Sequence, residues 1–387
     1  MTRPARNIVV LGSTGSIGCN TLAVVAAARD RLQIAALSAH RSCQQLVQQA
    51  QQFLPRWVVA TDERAAAAAD WSGLPTGTEL LIGMDGIQRV IADPEVEVVV
   101  ASIVGSAGLI GAWTALQHGK ILALANKETL VMAGPLVMAK AAECGATILP
   151  IDSEHSAVFQ VLQAGRRDEL RRIVLTASGG PFRLYSPRQL QQVTIEQALD
   201  HPTWQMGKKI TVDSATMMNK ALEVIEACWL FALPPEQVDV IIHPQSIVHS
   251  LVEYRDGSVF AQLSPPDMKL PIQYALTYPQ RWEGPATRLD WKQAFSLDFL
   301  PPDAERFPAI TLGHEVARRG GTAGAVLNAA NEVAVERFLA GEIRFTDIVP
   351  ACRAVLEYHD HDPSPSLNAL WEWDAWARRE MTRWTGM

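Results

Sequence analysis

Asn7-Ile8-Val9-Val10-Leu11-Gly12-Ser13-Thr14-Gly15-Ser16-Ile17-Gly18 is the stretch that decides the fold. Residues 7–11 read as a short buried strand. The glycines that follow, spaced by two residues, read as a tight turn into a helix over 20–28. Glycine lets a backbone approach a pyrophosphate, and a helix start adds N–H donors and the positive end of a dipole. A lone glycine turn is weak, but strand, turn and helix in this order favour a nucleotide site over a structural bend. Gly12, Ser13, Thr14, Gly15, Ser16 and Ile17 are therefore candidate cofactor contacts.

Working outward, residues 32–37 form a second strand ending in Leu37-Ser38-Ala39-His40-Arg41-Ser42. An NAD site usually carries an acid there for the ribose 2′-hydroxyl. No acid is present, and Arg41 with Ser42 suits a 2′-phosphate, which favours NADPH over the plain reading of a surface arginine. Strands at 57–60, 96–104 and 121–125 alternate with helical stretches near 43–53, after Asp62 and around 114–118. That alternation predicts a Rossmann-like, doubly wound parallel sheet of the α/β class over residues 1–150. Asn126-Lys127-Glu128 follows the strand at 121–125. Residues at such a carboxyl edge face the ligand crevice, although Glu128 also suits a helix start.

After 151 the character changes. Strand-like runs at 173–177, 238–242, 246–254 and 258–263, with hairpin chemistry at Arg255-Asp256-Gly257, predict an α+β catalytic domain over 151–280. Prolines from 265 to 302 mark a linker-like stretch, assigned to 281–307. Helical patterning at 309–319, 322–340, 345–358 and 366–384 predicts a small C-terminal helical domain over 308–387.

The 387 residues are 48% hydrophobic and 19% charged, with a formal net charge of −7. With no basic stripe, nucleic acid is not expected as a partner. The longest weakly charged stretch, 98–113, is glycine-interrupted and too short to span a bilayer comfortably, so no membrane is expected. Five cysteines form no C-x-x-C pair. Free thiols in a reducing cytoplasm are the simplest account.

Two distant segments offer metal and phosphate chemistry. One reads Ile151-Asp152-Ser153-Glu154-His155-Ser156, where two close acids repel unless a cation or donor neutralises them. Either the strand continues and both share a face, or a helix begins at Ser153 and they flank its first turn. Helix-start acids would explain Asp-Ser-Glu alone. The second segment runs from His201 through Trp204, Lys208 and Lys209 to Asp213-Ser214 and Asn219-Lys220-Ala221-Leu222-Glu223. Asp213 or Ser214 suits an N-cap of a helix over 215–230, on which Asn219 and Glu223 share a face beside Lys220. Flanking Met217, Met218, Leu222, Val224 and Ile225 make a buried helix the better reading than an exposed Lys220–Glu223 pair. Ser178-Gly179-Gly180 reads as an anion nest or a tight turn with equal weight. Residues 201–209 resemble a lid, with Gly207 as a hinge and Trp204 as an apolar cover. His201 and His249 are candidate polar or acid–base groups, whereas His243 before Pro244 reads as structural. Carboxylates suit a hard divalent cation, and Ser, Asn and Lys near a helix start suit a phosphate. Together these features point to a metal-dependent NADP enzyme acting on a sugar phosphate.

These residues bring the chain to a family. It resembles the 1-deoxy-D-xylulose 5-phosphate reductoisomerases over nearly its full length. The matching motifs are GSTGSIG at 12–18, ANKETL at 125–130, DSEH at 152–155, SGGPF at 178–182, HPTWQMG at 201–207, VDSATMMNKALE at 212–223, HPQSIVH at 243–249 and LNAANE at 327–332. The resemblance implies a homodimer that binds NADPH and Mg²⁺ or Mn²⁺. It implies metal ligation by Asp152, Glu154 and Glu223, and a phosphate held by Ser178, Ser214, Asn219 and Lys220 with His249 nearby. Ser153 and Lys127 would contact the reacting carbon backbone, His201, Trp204 and Met206 would close as a lid, and Gly207 would meet the cofactor. Metal chelation would acidify a hydroxyl and polarise a carbonyl so that the skeleton rearranges before hydride reduction. No single side chain stands out as the general base; Lys127, Glu154 and a metal-bound hydroxide are the candidates. A plain sugar-phosphate dehydrogenase and an idle NADP-binding regulator are the competing readings. Two departures are visible: His40-Arg41 stands where relatives often carry Gly-Lys, and Thr129 replaces a common serine.

Overall fold

A computed structural model describes residues 5–386. The chain opens with β1 (Arg6–Leu11), α1 (Ser16–Ala26), β2 (Leu32–Ala39), α2 (Cys43–Phe53), β3 (Trp57–Ala60) and α3 (Glu63–Ala68). There follow β4 (Glu79–Ile82), α4 (Gly83–Ala92), β5 (Val98–Ala101), α5 (Gly108–Gln117), β6 (Ile121–Leu124), α6 (Glu128–Cys144), β7 (Thr147–Pro150) and α7 (Ser153–Val161). The seven strands form one parallel sheet in the order β4-β3-β2-β1-β5-β6-β7. Their near-continuous apolar runs are what a sheet covered on both faces requires: Ile8, Val10, Val98, Val99 and Val100 are all fully buried. The winding reverses between β1 and β5, the switch point where such sheets open a crevice, and the glycine turn after β1 lies there.

Next come β8 (Leu170–Ala177), α8 (Pro187–Leu190), α9 (Ile195–Leu199), α10 (Lys208–Thr216), α11 (Met218–Leu230), β9 (Val238–Ile242), β10 (Val248–Tyr254) and β11 (Val259–Leu263). The second sheet is mixed, ordered β11-β10-β8-β9, with β8 and β9 parallel and the other pairs antiparallel. The last helices are α12 (Lys269–Thr277), α13 (Ala309–Arg319), α14 (Ala323–Leu339), α15 (Ile348–Tyr358) and α16 (Leu367–Arg383). Among the described residues, no helix is long and apolar enough to cross a membrane.

The chain divides into two compact units, one of residues 1–126, 137–156 and 267–287, the other of 127–136, 157–266 and 288–387. This division departs from the boundaries at 150, 280 and 307. The proline-rich stretch is not all linker: α12 packs on α1, β6 and β7 within the first unit. Its Ile272, Tyr274 and Leu276 are buried, and Arg6 donates to the carbonyl oxygens of Leu276 at 2.9 Å and Tyr278 at 3.2 Å. Pro271 sits in the first turn, where a missing N–H costs nothing. In the second unit the C-terminal helices share one core with α10 and α11, through Val212, Leu222, Ile225, Leu312, Val326 and Ile348.

One expected element is different. The helix over 215–230 is two helices, broken at Met217, whose φ of 63° is left-handed. Asp213 and Ser214 are therefore the last turn of α10 and not an N-cap. A non-glycine residue held this way costs about 1–3 kcal/mol and persists only where packing fixes it, and Met217 is buried in the shared core. The break puts a fresh helix start directly before Asn219 and Lys220.

The spacing of α11 depends on Gly313 of α13, where an added Cβ would lie 2.7 Å from the Cα and the carbonyl oxygen of Ala221. Backbone cannot give way as a side-chain tip does. Gly313→Ala is expected to lower unfolding free energy by about 1–3 kcal/mol, read from the urea midpoint; an unchanged midpoint would mean that α11 and α13 are not in tight register.

Candidate functional site

The glycine turn is built for close approach. A Cβ at Gly18 would overlap the Gly12 carbonyl and the Ser13 backbone, so only glycine lets α1 begin where it does. The N-cap Gly15 offers no side chain to the first helical N–H groups, which leaves a helix start suited to an anion. Thr14 and Ile17 are part-exposed there, and Gly15 and Ser16 exposed. Ser13 plays another part. It is fully buried, its N–H donates to Ser38 O at 2.8 Å, and its Oγ meets Gln49 Oε1 at 2.6 Å. Its polar groups fasten the turn to β2 and α2. Asn126, at the end of β6, is buried and donates to Gly105 O at 3.0 Å.

Arg41 lies beyond β2 with its side chain 76% exposed, and its Nε donates to Asp62 Oδ2 at 2.9 Å. His40 Nε2 stands 3.6 Å from the same oxygen. Asp62 also caps α3 by accepting from the N–H groups of Arg64 and Ala65. The Ala65 N–H first, then Arg41, hold its carboxyl down to about 2. The acid absent from the end of β2 is thus supplied after β3, where it orients Arg41. The Asp62-Glu63 start of a helix was the available sequence signal, but nothing local tied it to Arg41.

Asp152 and Glu154 flank the first turn of α7, the second of the two arrangements the sequence allowed. Asp152 Oδ1 accepts from the Ser153 N–H at 3.0 Å, and Ser153 Oγ donates to Glu154 Oε2 at 2.5 Å. All three residues are part-exposed.

Within the second unit two clusters form. In one, Glu223 is fully buried on α11, and its carboxylate faces Lys220, Asn219 and Lys127. Lys127 Nζ lies 3.4 Å from Glu223 Oε1 and 2.9 Å from Asn219 Oδ1. The Lys220–Glu223 pair is therefore interior. In the other, His201 Nε2 lies 3.0 Å from Ser178 Oγ and 3.1 Å from Ser214 Oγ. His201 Nδ1 accepts from the N–H groups of Thr203 at 3.2 Å and Trp204 at 3.0 Å. A ring nitrogen that accepts two N–H groups is unprotonated, which makes Nε2 the donor. Burial lowers the His201 pKa, in keeping with a neutral ring. The Gly180 N–H donates to Ser178 Oγ at 3.2 Å.

The remaining candidates divide. His249 is buried, with Nε2 within 2.9 Å of Ser264 Oγ and its ring 6.3 Å from that of Trp204. His243 is structural as expected, with Nδ1 2.8 Å from Asp298 O and Nε2 accepting from the Ile247 N–H at 3.2 Å. Gly207 is the N-cap of α10 at φ −65°, with open space around it, so neither sterics nor φ demands glycine. Lys209 is not exposed for an anion: its Nζ pairs with Glu128 at 3.1 Å and Asp213 at 2.8 Å. Sequence reasoning missed these pairings because one partner lies far away along the chain.

Comparison with known proteins gives one answer. The family described as 1-deoxy-D-xylulose 5-phosphate reductoisomerase matches residues 8–134, its C-terminal domain matches 148–231, and the DXP reductoisomerase C-terminal domain matches 263–380. Proteins named 1-deoxy-D-xylulose 5-phosphate reductoisomerase from Heliobacterium modesticaldum and Moorella thermoacetica are 50% and 51% identical. The former pairing covers 98% of both chains, the latter 97% of both. A crystal structure of DOX-P reductoisomerase in complex with NADPH, fosmidomycin and magnesium superposes with a TM-score of 0.91 at 42% identity, covering 98% of each chain. The enzyme from Zymomonas mobilis in complex with NADPH gives 0.89 at 42% identity, over 98% of this chain and 99% of that one.

The His201 geometry makes a pH prediction. Its folded pKa lies below the unfolded value of about 6.5, so its contribution to stability is present above that value and is lost as pH falls. The protection of the Thr203 and Trp204 amides, their exchange rates relative to the intrinsic rate at each pH, is expected to fall as pH is lowered from 7 to 5, and NMR titration to place His201 below 6.5. A value above 6.5 would contradict the assigned tautomer.

Proposed function

The chain belongs to the 1-deoxy-D-xylulose 5-phosphate reductoisomerase family, and we propose that Asp152, Glu154 and Glu223 hold its divalent cation. It is an NADPH- and metal-dependent reductoisomerase of non-mevalonate isoprenoid biosynthesis, which rearranges 1-deoxy-D-xylulose 5-phosphate and reduces the product to 2-C-methyl-D-erythritol 4-phosphate. The observation that carries the residue assignment is Glu223, a fully buried carboxylate among cationic and amide donors. A donor set of carboxylate oxygens, without thiolate, suits Mg²⁺ or Mn²⁺. For NADPH, the supports are the close-packed turn of Gly12, Gly15 and Gly18 and the uncapped start of α1.

The bound cation supplies Lewis acidity toward the sugar's ketone and hydroxyl oxygens, and NADPH supplies the hydride. The chain's residues supply position. Ser178 and Ser214 offer hydroxyls to a phosphate, and Asn219 and Lys220 offer donors at the fresh helix start of α11. His201, neutral with its proton on Nε2, draws both serines to one point and ties the following Thr203 and Trp204 to the same cluster. Trp204 then covers the substrate and excludes water. Lys127 and Ser153 contact the carbon backbone, with Lys127 or Glu154 taking a proton. His249 supports this wall through Trp204 and Ser264. Gly12 to Ile17, Asn126, Glu128 and Gly207 line the cofactor, Ser13 by fastening the turn, and Arg41 meets the 2′-phosphate in place of Asp62. Residues 1–150 carry most cofactor groups, and 151–280 most catalytic ones.

A homodimer and a cytoplasmic location complete the reading. The first is supported by Val259 and Phe260, exposed at 55% and 46% on the outer strand β11. The second is supported by five free cysteines.

The deciding assay follows NADPH oxidation with 1-deoxy-D-xylulose 5-phosphate, with Mg²⁺ and then with a chelator, and identifies the product. Metal-dependent oxidation giving the branched methylerythritol skeleton is expected. Glu223→Gln is expected to lower kcat/KM by more than about 100-fold, since even outer partners of metal ligands are worth about 10–100-fold. Oxidation that survives chelation, or an unbranched product, would mean a simple dehydrogenase. Arg41→Ala is expected to raise the KM for NADPH by about tenfold or more while leaving that for NADH unchanged; equal effects on both would remove Arg41 from the 2′-phosphate.

A further inference from the structure

Lys209 stands two residues after Gly207, at the foot of the segment that carries His201 and Trp204. Its side chain is only 20% exposed, and its amine lies between two buried carboxylates, Glu128 and Asp213. Burial disfavours the lysine's charge, but Asp213 and Glu128 outweigh it and raise its pKa. Glu128 likewise lies below the usual carboxylate range, because Lys209 overcomes the effect of burial.

Each carboxylate adjoins a site residue. Glu128 follows Lys127, whose amine reaches Asn219 and Glu223. Asp213 precedes Ser214, which meets His201. The far side of Asp213 is held from α14, where Asn331 Nδ2 donates to Oδ1 at 2.8 Å. On the same helix Asn328 Nδ2 donates to Glu332 Oε1 at 2.9 Å, and Glu332 pairs with Arg378 of α16, which also binds Asp374 at 2.7 Å. Asn331 and Asn328 are both fully buried. A buried charge cluster is stable only while every partner keeps its place, so it transmits position more strictly than apolar packing does.

We propose that Lys209, Asp213 and Asn331 are positioning residues of the reaction, through which α14 fixes Ser214 and Lys127 relative to the foot of the lid segment. They touch no reacting atom. The proposal rests on the reductoisomerase reading, in which Lys127 and Ser214 contact the sugar phosphate. A displaced contact then weakens sugar-phosphate binding. A device that merely held the fold together would lower the fraction of active enzyme and leave both KM values unchanged.

The experiment measures kcat, both KM values and the melting temperature for the parent chain, Lys209→Met and Asn331→Ala, with kinetics run well below each melting point. Loss of one charge-assisted contact predicts a KM for 1-deoxy-D-xylulose 5-phosphate raised about tenfold or more in Lys209→Met, and several-fold in Asn331→Ala. In Asn331→Ala, which leaves the Lys209–Glu128 pair in place, the KM for NADPH is expected to stay within about twofold. Sugar-phosphate KM values equal to the parent's, with only the melting temperature or kcat reduced, would overturn the proposal. If Lys209→Met does not fold, Asn331→Ala decides alone by the same criterion. The parent assay separates the two readings, because a parent chain that does not turn over the sugar phosphate defeats the reductoisomerase reading itself.

Discussion

Glu223 is the constraint on which the second compact unit of this molecule depends. A carboxylate removed from water costs several kcal/mol unless it is paired and hydrogen-bonded. Glu223 is wholly buried, and its compensation includes three side chains from two parts of the chain. Lys220 and Asn219 stand one turn before it on α11, and Lys127 arrives from the residue before α6. Each must keep its place, so the start of α11 and the entry to α6 are fixed together. The left-handed Met217 follows from this need, since an unbroken helix through 217 would not start anew beside Asn219. Gly313 serves the same end by letting α13 press on Ala221.

The phosphate-type cluster is organised on a second, neutral principle. His201 uses one nitrogen to gather two serine hydroxyls and the other to fold back the backbone after it. No charge has to be buried for this, so a modest change in protonation can release it. The first cluster is thus built on buried charge and the second on a neutral ring.

Much of this was legible in the sequence. The parallel sheet showed itself because strands covered on both faces are continuous apolar runs, and β3, β9 and α13 fall at the expected residues. The paired acids at 152 and 154 and the i,i+4 pair of Asn219 and Glu223 are local patterns, visible without a fold. What escaped was non-local or unmarked. Met217 carries no sign of a left-handed bend, a conformation usually betrayed by glycine or asparagine. The helix α12 was masked by prolines that read as linker, although Pro271 occupies a first turn where proline is harmless. Lys209 read only as the end of the lid-like segment 201–209, with no partner assigned. Of its true partners, Asp213 is one helical turn away but Glu128 lies far off in sequence, as does the Asn331 that holds Asp213, and no periodicity announces such long-range pairs.

The central claim is that Asp152, Glu154 and Glu223 bind one divalent cation. Crystals soaked in Mn²⁺ test it most directly through the anomalous scattering of the metal. The account predicts a single strong peak with carboxylate oxygens of all three residues at about 2.0–2.3 Å, lost in Glu223→Gln. A peak elsewhere, or none while Glu223 stays fully engaged by Lys127, Lys220 and Asn219, would contradict it.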